Sequence, residues 1–488
     1  MTWRLFLTAW LVYSLHFATN IVREHYPAFS LAERGTLRVD PYLGLHPDLF
    51  ELPGRGVFIN NNPGASLLAA PAYALVRPAI DLVVARVQAR RASAGGELSA
   101  DYDDPRPNRR HFFAQVRERG LDVRFGLAAF AIQLLCTAPL TAGGVVAMHA
   151  LLRRLGAAAA PSVALALLYA FGTPVFFRAA FLNQNLFVCD FALFALLLAL
   201  PRAGEAVASP PRLVAAGLCA GVTLLCDYSG VVVLLALGAF VAQGAMRALG
   251  PAAGLRRSAA LVAGMLPPVL ALLAYQAWAF GNPLYPAQRY MPETELSGQG
   301  WRGMSFPAMD LLLQNLVDPR FGLFAFAPIL ALAFAAPLLG RARPRLAHDP
   351  LLVLCYGFFV ALLLFASANQ YGRLQFNTGV RYLVPAVPFL FLPLADVLLR
   401  LPRQLALLLG ALALAFSWCL AMVREDVPLS LTTVFVGGLR LPWLTVLGKM
   451  GGQYVGLLAG SAPDPLPLFL LAGGVLAILW WPARAGRP

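Results

Sequence analysis

Apolar runs of bilayer-spanning length recur from one end of this 488-residue chain to the other, and nothing else constrains its fold as strongly. A transmembrane helix needs about 20 consecutive apolar residues. Within a bilayer only helices and closed barrels satisfy their backbone groups. Runs of that kind lie near residues 3–20, 125–152, 159–181, 185–200, 213–227, 229–246, 259–280, 321–340, 350–368, 382–399, 404–423 and 466–481. Charge content agrees: 13% of residues are charged, half of the about 25% that a soluble domain uses. The expectation is an all-α integral membrane protein, one polytopic domain over 1–488 with about 12 transmembrane helices. The opening run lacks a small-x-small cleavage signature and is expected to stay as the first span. One further apolar stretch, 64–85, holds Arg77, Asp81, Pro71 and Pro78; it is expected to lie along the membrane interface.

Arginine placement orients the chain. With the N-terminus inside, the inner loops hold Arg153 and Arg154, Arg202 and Arg212, Arg247, Arg256 and Arg257, Arg341, Arg343 and Arg345, and Arg400 and Arg403, and the tail holds Arg484 and Arg487. Basic loops stay in the cytoplasm, whereas long loops translocate largely regardless of charge. The outer face then carries four substantial pieces, 21–124, 281–320, 369–381 and 424–465. The first is the longest and is rich in Tyr, Phe, Asn and His. Loops of this length are usually functional or disordered. Its stretch 92–108 reads as a flexible insert.

The net charge is +14, nearly all from arginine, with Lys449 the single lysine. That bias, with abundant Ala, Leu and Gly, suggests a GC-rich bacterial genome and a place in the bacterial cytoplasmic (inner) membrane. Nucleic acid is not the expected partner: the arginines sit between apolar runs, without a basic stripe or stacked aromatics. They fit topology and anionic lipid headgroups. The six cysteines all fall in or beside apolar runs, without metal-ligand spacing or a disulfide framework. No phosphate-cradling glycine loop, zinc motif or nucleophile elbow is present. No cofactor is expected, and the need for a metal is not readable from these motifs.

Chemistry-bearing residues cluster on the outer face. Arg23-Glu24-His25-Tyr26 follows the first span, where a carboxylate is either functional or an interfacial charge anchored by Arg23. His46-Pro47-Asp48 comes next, then Asn60-Asn61-Asn62-Pro63-Gly64, whose amides suit sugar hydroxyls and also a helix start. Asn183-Gln184-Asn185 and Asp190 open the fourth span and Asp227 ends the fifth; they line a cavity or serve structure. Arg320 and Arg381 stand where spans begin, placed to grip a phosphate or to snorkel.

Together these pieces resemble the polytopic GT-C glycosyltransferases, a superfamily that includes protein O-mannosyltransferases and lipid A aminoarabinose transferases. A first span is followed by a long outer loop opening with an acid and an Asn-Pro-Gly entry to an apolar stretch. FGNPLYP (280–286), DPRFGLFAFAP (318–328) and GVRYLVPAVP (379–388) are similar to conserved-type segments of bacterial members. The resemblance implies a polyprenyl-phosphate-linked sugar donor, an acceptor glycan, lipid or protein, and inverting transfer at the periplasmic or cell-exterior face. It makes Glu24 the base, with Asp40 and Asp48 as fallback acids. Arg381, with Arg320 or Arg289, would hold the donor phosphate. His25, Tyr26, His46, Asn60, Asn61 and Asn62 would contact sugar or acceptor. The family often carries an Asp-Glu pair where this chain has one acid. The alternatives are a transporter or lipid flippase, and a scaffold or degenerate transferase.

Overall fold

A computed structural model describes residues 1–93, 107–339, 346, 348–375, 379–451 and 462–481. Arg341, Arg343, Arg345, Arg484 and Arg487, and most of the 92–108 insert, lie outside the described residues.

Every expected apolar run contains helix. The first is α1 (Thr2–Leu15), shorter than the run that encodes it. The outer loop follows, with α2 (His25–Arg34), α3 (Gly64–Ser93) and α4 (Pro107–Glu118). It also holds an antiparallel hairpin, β1 (Leu49–Leu52) and β2 (Gly56–Ile59), which the all-α expectation did not include. Leu49, Phe50, Val57, Phe58 and Ile59 are buried, so both faces of the ribbon are covered, which blurs the alternation that marks a strand. The long helix α5 (Asp122–Arg154) is interrupted by a π-helical turn over Gln133–Thr137. The run 159–181 is broken at Gly172 and Thr173 into α6 (Ala159–Phe171) and α7 (Pro174–Arg178), because Pro174 has no N–H to continue the ladder.

Next come α8 (Gln184–Ala199), α9 (Pro210–Cys226), α10 (Gly230–Leu249) and α11 (Pro251–Phe280), then the short outer helix α12 (Met309–Val317). The run 321–340 is not one α-helix. It is the single turn α13 (Leu323–Phe326) and a 3₁₀ segment, Pro328–Leu338. The chain continues through α14 (Asp349–Ala368), α15 (Val387–Arg400), α16 (Arg403–Val423), α17 (Val427–Gly437), α18 (Pro442–Gly451) and α19 (Leu466–Trp480).

Among the described residues, six helices are long and apolar enough to cross a bilayer, or seven if the bent pair α17–α18 is one span; five shorter apolar helices accompany them. The chain is thus a multi-pass helical membrane protein; the count of twelve goes beyond these six or seven. Gly64–Ser93 passes the same test of length and composition. Its charged side chains nevertheless pair within the outer loop. Arg77 donates to the Ala32 carbonyl, and Arg91 grips Asp122 through two bonds of 3.1 and 2.5 Å. Its outward stripe is apolar, with Leu75 and Leu82 exposed, which suits contact with lipid.

A large apolar core joins α1, α5–α8, α14 and α15. The π-turn has a structural use there: Gln133 Nε2 donates to the carbonyls of Tyr13 (3.0 Å) and Ala179 (2.6 Å). It fastens the outer ends of α1 and α7 beside the start of α8.

Candidate functional site

Three helices begin at one place. Glu24 is the residue before α2. Ser66, in the first turn of α3, donates to the Glu24 carbonyl at 2.7 Å. Gln184 opens α8. Helix N-termini carry partial positive charge and unsatisfied N–H groups, so their convergence favours an anion.

The Glu24 side chain is buried at 2% exposure. Its Oε1 accepts from Arg23 Nε (3.0 Å) and Asn61 Nδ2 (2.8 Å). The Gln184 amide completes the set when its NH₂ faces the carboxylate: Nε2 then donates to Glu24 Oε1 at 2.8 Å, and Oε1 accepts from Asn61 Nδ2 and Arg23 Nη2, both at 3.0 Å. The opposite orientation would set oxygen against oxygen. Oε2 is offered no side-chain donor among the described residues. Burial works to raise the Glu24 pKa, but the Arg23 charge and hydrogen bond more than offset it and hold the carboxyl below its usual value. Glu24 is therefore ionised at neutral pH, with one oxygen clamped and the other open.

Arg23 is more than an interfacial anchor. Its Nη1 also reaches Asp48 Oδ2 (2.5 Å) and Asn60 Oδ1 (2.9 Å). The hairpin delivers both: Leu49 pairs with Ile59, and one step beyond, Asn60 N donates to the Asp48 carbonyl at 3.1 Å. Burial opposes ionisation of Asp48 too, and Arg23 again outweighs it. His46 accepts from the Asp48 N–H at 3.0 Å. Burial lowers the His46 pKa despite Asp48, so the ring is neutral. Gln288 Nε2 donates to the Asn60 carbonyl at 2.7 Å, which closes the FGNPLYP loop onto the hairpin.

Arg381 reaches this place from the far end of the chain. Its charge acts on Glu24, His46 and Asp48. It makes no ion pair among the described residues; its guanidinium lies over the Tyr382 ring, 5.2 Å from the centroid. Gly379 positions it. At φ +94° this residue takes a conformation open to glycine, and a Cβ there would stand 2.2 Å from the Phe177 ring. The Gly379 N–H bonds to the Arg320 carbonyl at 2.6 Å.

Two further arginines join Arg381. Arg178, at the end of α7, is 5% exposed, and its Nε has no partner among the described residues. It lies within electrostatic reach of Arg381, Arg424 and Glu24. Arg424, just past α16, donates to the Phe177 carbonyl at 2.5 Å and stacks over Phe177 and Phe181. Arg178 and Arg424 are buried close together and near the half-buried Arg381; cations gathered in this way are costly, and an anionic ligand would relieve that cost.

No family model matches the chain, and no curated protein matches it. Among solved structures it is similar to the crystal structure of ArnT from Cupriavidus metallidurans in the apo state, at 17% identity and a TM-score of 0.47, over 97% of this chain and 74% of that one. At that level of likeness, the function rests on the geometry of the site.

The other expected site residues separate. Arg320 is spent on Asp318, through Nε–Oδ1 (3.0 Å) and Nη2–Oδ2 (2.8 Å), and is more than half exposed. Arg289, itself exposed, ends the turn Ala287–Arg289 and makes no hydrogen bond or ion pair with the Glu24 cluster among the described residues. Asp40 accepts from Val57 N (3.0 Å) and pairs with Arg38, so it braces the hairpin and takes no part in the Glu24 cluster. His25 accepts from Val22 N (3.1 Å), and burial pulls its pKa down to about 4. Tyr26 is packed against Tyr42 and Phe125. Asn62 donates to the Leu224 carbonyl (2.7 Å), and beside it Gly64 packs so tightly that a Cβ would fall 2.6 Å from the Leu225 backbone. These residues build the loop. Arg178 and Arg424 are not among the expected site residues, although Arg178, an arginine inside an apolar run, is itself a signal. Gln184, expected to line a cavity or serve structure, joins the Glu24 cluster.

Proposed function

We propose that the protein is a GT-C-type membrane glycosyltransferase that moves a sugar from a polyprenyl-phosphate donor to a hydroxyl acceptor on the outer face. One observation carries the reading: the buried, ionised Glu24, with one oxygen open, shares its surroundings with Arg381 and Arg178, whose charges await an anion. In the reaction, the acceptor O–H gives its proton to Glu24 Oε2. The oxygen attacks the anomeric carbon from the face opposite the phosphate. The bond from that carbon to the phosphate oxygen breaks with inversion, and its electron pair leaves on the lipid phosphate. Arg381, joined by Arg178 and Arg424, stabilises the charge that develops there. Arg320 and Arg289 contribute less, the first because Asp318 neutralises it. Arg23, Asn61 and Gln184 hold Glu24 in place and ionised. Asp48 shares Arg23 and tunes that hold.

The test is transfer by purified protein from a polyprenyl-phosphate sugar to endogenous lipid and glycan extracts. Glu24→Gln keeps the shape and removes the base, and a loss of about 10²–10⁴-fold is expected. Full activity in a folded Glu24→Gln protein overturns the role of Glu24. Absence of any transfer by the wild type, with movement of a polar solute or lipid across sealed vesicles, overturns the transferase reading.

A further inference from the structure

A second polar site lies at the other end of α2. Glu33 is nine residues past Glu24, about 14 Å along the same helix. It opens onto a cleft of about 450 Å³ lined by Glu33, Arg77, Asp81, Gln88, Arg119 and Arg124. Clefts of that volume are in the range of small-molecule sites.

The charges in the cleft do not balance. Glu33 is fully engaged: it accepts from Tyr73 (2.6 Å), Tyr42 (3.1 Å) and Arg124 (3.2 Å). Asp81 is shared between Arg124 (2.7 Å) and Arg77 (3.4 Å). Glu33, Tyr73, Arg77, Asp81 and Arg124 lock α2, α3 and α5 together. Arg119 stands apart. Its guanidinium meets only neutral carbonyls among the described residues, those of Leu43 (3.1 Å) and Pro41 (3.5 Å). Three guanidiniums thus face two carboxylates. The Gln88 amide is exposed beside Arg119 and next to Gly120.

From this geometry we infer a binding site for a sugar that carries an anionic group, phosphate or carboxylate, with the anion on Arg119 and the hydroxyls on Gln88 and Asp81. Given the transferase reading, this is the acceptor's charged end, held in a cleft that α2 joins to the base through its Glu33 wall. A fixed spacing of that kind positions a reacting hydroxyl, and it gives a use to the arginine-rich end of the first loop.

The experiment is binding of glucose 6-phosphate, inorganic phosphate and glucose to the full chain in detergent, followed by thermal shift and native mass spectrometry. Saturable binding of glucose 6-phosphate, tighter than that of phosphate or glucose, is expected. Arg119→Gln should weaken it about tenfold or more, the scale of a lost charged hydrogen bond. Gln88→Glu leaves every hydrogen bond described above intact and adds a repulsive charge, so it should weaken binding even if Arg119→Gln fails to fold. Arg381→Ala should leave it unchanged. Equal binding of glucose, no effect of Gln88→Glu, or loss of binding in Arg381→Ala overturns the inference. The transfer assay of Glu24→Gln is a separate measurement, so failure of the function and failure of this site are distinguishable.

Discussion

Asn61 donates to Glu24 at 2.8 Å across the 37 residues that separate them. The hairpin turns the chain back to the end of α1, so an amide from one side of the ribbon and a carboxylate from before α2 meet. That bond favours the charged form of the acid.

Asn61→Leu removes one of the donors that hold Glu24 ionised. The Glu24 pKa then rises toward its ordinary value, because a hydrogen bond to the charged form is lost while burial stays. The acid limb of the pH–rate profile of transfer should move to higher pH, while the rate on the plateau falls less than in Glu24→Gln. An unmoved acid limb would show that the bond does not tune the base.

Arg23→Met strips the partner from two buried carboxylates at once. Breaking a buried pair by removing one member costs about 3–5 kcal/mol, so a clear fall in melting temperature is expected. The pH dependence has a definite sign. Glu24 and Asp48 are held below their ordinary values of 4.5 and 3.8. Their contribution is present above those values and is lost as pH falls through the lower, folded ones. Wild-type melting temperature should therefore be flat near neutrality and drop below about pH 4, and the drop should shrink or reverse in Arg23→Met, because burial unopposed by Arg23 pushes both carboxyls up. Identical curves would remove this role for Arg23.

Arg381→Ala and Arg320→Ala should separate cleanly. Arg381 is free of ion pairs among the described residues and acts on Glu24; its loss should raise the KM for the lipid-phosphate donor and lower kcat together, by about tenfold or more in kcat/KM. Arg320 is a surface partner of Asp318, a pair worth about 0–1 kcal/mol, so its loss should leave kcat/KM within a few-fold. Equal effects would place Arg320 in the site.

Gly379→Ala tests how Arg381 is aimed. The new methyl would meet the Phe177 ring in a positive-φ conformation, at a cost of about 1–3 kcal/mol. The loss in donor KM should resemble that of Arg381→Ala, although no charge has changed. An unaltered KM would show that Arg381 finds its place without Gly379.

The sequence by itself determined the membrane class and the regions that carry helix, and it singled out Glu24 as the candidate carboxylate. Apolar runs of bilayer length admit few other solutions, and each is encoded locally. It also singled out Arg381 and the 60–62 amides, because polar residues beside spans are conspicuous. Tertiary structure decided the rest. The broken run at Gly172 swings Arg178 toward Glu24, and the hairpin brings Asp48 and Asn60 onto Arg23. Arg320 and Arg381 look alike in sequence, each at the head of a span, yet Asp318 lies two residues from one, and among the described residues no carboxylate pairs with the other. Which arginine is spent and which is free depends on contacts between segments far apart in the chain, and a local pattern carries no record of them.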